Sequence, residues 1–116
     1  MCIRDSEIFD DEEVDIMSTD GGKRIGAALG SAKAVILRNH GLLTVGASVD
    51  ECVGFFVMME RVAEAHMKAR DGVEIGPEAA RQARAAVGTA RSGWHAFQWL
   101  LRSHVLDPSV VNGRRP

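Results

Sequence analysis

Cysteine is scarce: Cys2 and Cys52 are the chain's only two, too few for a disulfide framework and in keeping with a reducing compartment. Long apolar runs are absent. The longest, Cys52 to Met59, has eight residues against the roughly 20 that a membrane helix needs, and no charged n-region and apolar h-region lead into a cleavage site. A soluble, cytoplasmic protein with no membrane partner is expected. Charge of one sign is missing too, with 14 Lys and Arg against 16 Asp and Glu for a net charge of -2. No basic block is long enough to track a phosphate backbone, so nucleic acid is not an expected partner. The four histidines, His40, His66, His95 and His104, form no H-x-H or H-E-x-x-H, and no paired-cysteine zinc motif is present. Internal repeats and low-complexity segments are lacking.

What remains is ordinary globular material. At 116 residues, 46% hydrophobic and 26% charged, the chain is one domain or a piece of one. The first six residues, MCIRDS, do not lead into the periodic pattern that follows; they look like translated adaptor sequence and are set aside as a non-native start. The acidic stretch from Glu7 to Asp20 reads as an exposed connection with a short strand around Val14 to Met17. GGKRIGAALGSAK then places Ile25, Ala28 and Leu29 at helical spacing, with Gly30 as C-cap. Its Gly21, Gly22 and Gly26 lack the G-x-x-x-x-G-K-[ST] order of a phosphate loop, so close helix packing is the expectation there.

AVILR (34–38) and LLTVG (42–46) are short, apolar, β-branched runs joined by a turn ending in glycine, a hairpin signal in which Gly41 supplies a positive φ. Being apolar almost throughout, they predict a sheet covered on both faces. SVDE at 48–51 is a capping box, with Ser48 as N-cap and Glu51 reaching back to its N–H. A long helix to Asp71 should follow, stopped by Gly72, with Cys52, Val53, Phe56, Met59, Ala63 and Met67 as its apolar stripe. Asp50, Arg61, Glu64 and Lys68 should line the opposite face, and Phe55, Val57 and Met58 widen the apolar surface enough to require cover on two sides. GPEAARQARAAVG predicts a helix with Pro77 at its start and Gly88 past its end. SGWHAFQWLLRSHVLDP predicts a last one, stopped before Pro108.

His66, His95 and His104 fall on helices without the companions that metal ligation demands, so each reads as an exposed or hydrogen-bonded packing residue. His40 differs: a tight turn at the end of a buried strand holds its ring on a rigid support, the kind of place where functional side chains are displayed. On pattern alone a solvated turn residue is the favoured reading, because any polar residue tolerates such a site.

The segment AKAVILRNHGLLTVGASVDECVGFFVMMERVAEAHMKA (32–69) closely resembles the C-terminal half of the class II aldolase/adducin domain, in which an N-H-G turn between two strands precedes a long helix with an M-E-R-like segment, here Met59, Glu60 and Arg61. VGTARSGWHAFQWLL downstream is similar to that family's tail, although Trp99 stands where proline is usual. The resemblance spans roughly residues 20 to 110, with 111–116 left as a tail.

It implies an α/β fold, a three-layer α/β/α sandwich of which 7–110 would be the C-terminal part, assembled in the parent as a homotetramer. Enzymatic members bind zinc or another divalent metal through an H-x-H pair and a third histidine in the N-H-G turn, the position His40 matches; a separate glutamate acts as acid/base. The pair, that glutamate and the phosphate-binding loops belong to the family's N-terminal half and have no counterpart here. Glu60 matches a helix position and is not the missing acid. The resemblance therefore implies a fragment of a metal-dependent lyase, cleaving a carbon–carbon bond of a sugar phosphate or related small molecule through a metal-stabilised enediolate. A catalytic zinc wants three protein ligands, so this chain should be inactive alone. The alternatives are a related epimerase or dehydratase, and a non-catalytic adducin-like assembly module.

Overall fold

The computed structural model describes residues 6–11 and 18–107. Along these the elements are β1 (Glu7–Phe9), α1 (Thr19–Leu29), β2 (Ala34–Leu37), β3 (Gly41–Thr44), α2 (Val49–Lys68), α3 (Pro77–Val87) and α4 (Ala90–His104). The strands form one sheet in the order β1-β2-β3. β1 and β2 are parallel, with Phe9 opposite Leu37, and α1 supplies the crossover such a pair requires. β2 and β3 form the antiparallel hairpin, with Val35 opposite Leu43 and Ala34 opposite Thr44.

Alternation along the strands divides the cover. Val35 and Leu37 are buried with Ile25 of α1, and Phe9, Leu29 and Leu43 pack around them. Thr44 faces the other way, where its Oγ1 donates to the Cys52 carbonyl at 3.0 Å and its own carbonyl accepts from the Cys52 thiol at 3.2 Å. The sheet therefore lies between α1 and α2, with α4 packed on α2. This α/β layering, and the expectation of cover on both faces of the hairpin, agree with the sequence.

The element ends follow local chemistry. Ser18 caps α1 by accepting from the Gly21 N–H at 3.1 Å, and Gly30 closes it at φ 51°, a backbone that favours glycine. Ser48 caps α2, accepting from the Glu51 N–H. Pro77 opens α3 and Gly88 closes it. Thr89 caps α4, accepting from Ser92, so this helix begins two residues before SGWH and ends, as expected, short of Pro108.

Several expectations change. Glu7–Phe9 is a strand and not part of an exposed connection; Glu7 and Ile8 are exposed, and the strand exists through its pairing with β2, which its own pattern cannot reveal. The strand expected around Val14 to Met17 lies outside the described residues, as do residues 1–5 and 108–116. α2 stops at Lys68, capped by Ala69, and the Gly72 N–H bonds to the Ala69 carbonyl at 3.0 Å in a separate turn. A Cβ at Gly22 or Gly26 would meet nothing within 4 Å, so neither glycine serves close packing.

The buried face of α2 is also different. Phe55 and Met59 are fully enclosed while Val53, Phe56 and Met67 are exposed, and Asp50, expected on the solvent side, is 5% exposed. Gly54 explains the rotation. It meets Gly93 where α2 and α4 cross, with no space between them for a side chain, which turns the 51-54-55-59 face inward. Enclosing Phe55 and Met59 contributes roughly 1.5–3 kcal/mol each.

Candidate functional site

The strongest candidate is the turn between β2 and β3. Its backbone leaves β2 at Leu37 and returns at Gly41, and the His40 N–H closes it on the Leu37 carbonyl at 3.1 Å. Asn39 takes φ 59° and Gly41 φ 153°. A positive φ at the third residue of a four-residue turn, Leu37 to His40, is the type II arrangement, which glycine or asparagine accommodates. Gly41 does supply the expected positive φ, and Asn39 shares that role. These two residues set the backbone on either side of His40, which stands at the end of the sheet and is exposed.

A second tie comes from β1. The Arg38 N–H donates to the Phe9 carbonyl at 3.0 Å, and the Arg38 guanidinium is paired with the Asp10 carboxylate. The hydrogen bond and charge of Asp10 raise the already high pKa of Arg38 further. The following residue, Asp11, accepts from Arg24 Nε of α1 at 3.0 Å. Sequence reading missed Asp10, because its stretch carries no pattern linking it to the turn.

The remaining histidines are dispersed on helices and exposed. His95 accepts from Arg91 Nε at 3.4 Å and lies edge-on to Trp94; His104 lies edge-on to Trp99. Hydrogen-bonded or packing roles thus hold for both. Glu60 is exposed on α2. Among the described residues no three His, Cys, Asp or Glu side chains are grouped to hold a metal ion. His40 carries the side-chain type of a ligand, an imidazole on a hydrogen-bonded turn, but the described residues by themselves do not make a zinc site.

Glu51 is the other acid with a specific environment. Its carboxylate is buried, accepts from the Ala47 N–H at 2.8 Å and pairs with Lys33 at 2.9 Å. The side chain therefore reaches Ala47 and not the expected Ser48 N–H. Burial pushes its pKa up, but the Lys33 hydrogen bond, the Ala47 N–H and the Lys33 charge together outweigh that and leave it lowered. Joining the strand end to the helix start, this pair fixes where α2 departs.

Residues 1–67 match the profile of the family described as Class II Aldolase and Adducin N-terminal domain. Among curated proteins, the chain is 33% identical to a decarboxylase, NovR, of Streptomyces niveus over 92% of this chain and 41% of that protein. It is 34% identical to a 4-hydroxy-3-prenylphenylpyruvate oxygenase/4-hydroxy-3-prenylbenzoate synthase of Streptomyces roseochromogenus subsp. oscitans, over 81% of this chain and 35% of that one. Among solved structures, an L-fuculose 1-phosphate aldolase from Glaciozyma antarctica PI12 superposes with a TM-score of 0.67 at 29% identity, over 87% of this chain and 40% of that one. The chain thus spans about two fifths of the length of the relatives it matches.

Proposed function

Given that the chain belongs to the class II aldolase and adducin family, we propose that it is the part of a metal-dependent carbon–carbon lyase that carries one metal ligand, His40, and the support for it. The observation behind this reading is the turn: His40 follows a left-handed Asn39 at the end of a sheet covered on both sides, and it is exposed. Its role would be to offer a neutral ring nitrogen in a fixed direction, with Asn39 and Gly41 setting that direction. A divalent ion, when bound, supplies a Lewis-acid charge for the oxygen that becomes negative as the bond breaks.

The proposed substrate class rests on two of the named relatives, the aldolase and the decarboxylase. An aldolase and a decarboxylase both break a carbon–carbon bond and leave an electron pair next to a carbonyl, so a small hydroxy-carbonyl or oxo-acid compound is the substrate we propose. Zinc is the proposed metal and a homotetramer the proposed assembly. The chain alone is inactive on this reading, since one imidazole cannot satisfy a catalytic ion that needs three protein ligands.

Metal analysis tests the proposal. The 116-residue chain should retain no stoichiometric zinc after dialysis. The complete product of its gene should retain it, and His40→Ala in that product should release it. Tight zinc on the 116-residue chain through His40, or undiminished zinc in the complete His40→Ala product, would overturn the assignment.

A further inference from the structure

We infer that Asp10, in the segment leaving β1, is a positioning residue that acts through Arg38 to set the turn displaying His40. The inference builds on the reading of His40 as a ligand. β1 and β2 are parallel and end in register, Phe9 beside Leu37, so Asp10 and Arg38 leave the sheet side by side. Arg38 is held there twice, by its N–H on the Phe9 carbonyl and by its guanidinium on the Asp10 carboxylate. It is also the first central residue of the turn, immediately before Asn39 and the closing His40 N–H. Whatever fixes Arg38 therefore fixes the entry to the turn. Asp10 is itself restrained from the far side, because Asp11 is tied to Arg24 of α1.

Exposure separates this role from a structural one. The Asp10 and Arg38 side chains are 60% and 58% exposed, and an exposed ion pair adds little to global stability. Its effect should be confined to the order of residues 38–41. Loss of the clasp would let the turn fray and spread the directions that His40 samples, without disturbing Val35 or Phe55 in the core.

The test uses the full chain with Asp10→Asn, with Arg38→Gln, and with the exchanged pair Asp10→Arg plus Arg38→Asp. Amide hydrogen exchange is read at His40, Val35 and Phe55, and Zn2+ is titrated against the His40 ring resonances. Asp10→Asn and Arg38→Gln should each speed exchange at the His40 amide by about two- to five-fold, the range an exposed pair can supply. The apparent Zn2+ affinity at His40 should fall by a similar factor. Protection at Val35 and Phe55 should hold, and the exchanged pair should recover much of both effects. Unchanged His40 exchange, a uniform loss at all three amides, or no recovery in the exchanged pair would overturn the inference. Undiminished zinc in the complete His40→Ala product would instead sink the metal reading, while exchange at the His40 amide would still decide the role of Asp10.

Discussion

Gly54 of α2 and Gly93 of α4 meet where the two helices cross, and a Cβ on Gly54 would stand 2.6 Å from the Gly93 carbonyl carbon. Backbone cannot yield as the end of a flexible side chain can, so the helices must separate to admit even a methyl group. Gly54→Ala should therefore destabilise the chain by about 3 kcal/mol, the upper part of the range for overpacking, although alanine is the better helix former. Gly93→Ala should be milder, since its Cβ would meet the Glu51 carbonyl oxygen at 2.9 Å. Urea unfolding monitored by circular dichroism measures both, and a stabilised Gly54→Ala would refute the close crossing.

The Lys33–Glu51 pair gives a pH-dependent prediction. Glu51 has a lowered pKa in the folded chain, so its contribution is present above the unfolded carboxylate value of about 4.3 and is lost as pH falls through the folded one. Lys33→Met leaves a buried carboxylate with only the Ala47 N–H, and stability at pH 7 should drop by roughly 1–3 kcal/mol. Glu51→Gln should remove this group's share of the acid-induced loss below about pH 4.3. Denaturant midpoints between pH 3 and 7 test this, and an unaltered pH slope in Glu51→Gln would count against it.

These two relationships mark where sequence reading runs out. The hairpin, the cap at Ser48, Pro77 and Gly88 are set by residues a few positions apart, and their chemistry is legible from composition and spacing. The helix face that turns inward is not, because Gly54 selects it only by meeting Gly93 of another helix. Likewise Glu51 is recognisable as a capping acid, whereas its partner Lys33 lies 18 residues away. At the candidate site the turn and His40 are readable from the N-H-G pattern. The Asp10 clasp requires knowing that Glu7–Phe9 pairs with β2.

Asn39 offers a local test of the turn. At φ 59° a β-branched residue pays a steric penalty that asparagine largely avoids and glycine does not meet. Asn39→Gly should change stability by a few tenths of a kcal/mol, while Asn39→Val should cost about 1–2 kcal/mol and accelerate amide exchange at His40. Equal stability of the two variants in thermal unfolding would show that the turn is not left-handed at this position.

Half of the stripe that the helical pattern of α2 singles out, Val53, Phe56 and Met67, lies outside the core, and together with the exposed Val49 this bears on association. Val49, Val53, Phe56 and Met67 are 77%, 36%, 42% and 76% exposed, with the half-buried Ala63 between them. Val49, Val53 and Phe56 are four and three residues apart, and Ala63 and Met67 resume the pattern beyond the exposed Glu60, the alternation by which two helices pack side by side. A surface of this kind favours contact with a second copy over water, and enclosing Phe56 alone is worth roughly 1.5–3 kcal/mol. Sedimentation velocity over a hundredfold concentration range should therefore show the 116-residue chain moving from monomer toward larger species. Phe56→Glu, at a side chain that is 42% exposed while its neighbour Phe55 is buried, should hold it monomeric with little change in its unfolding midpoint. A single sharp monomer for the wild-type chain across the whole range would mean that this face does not drive association.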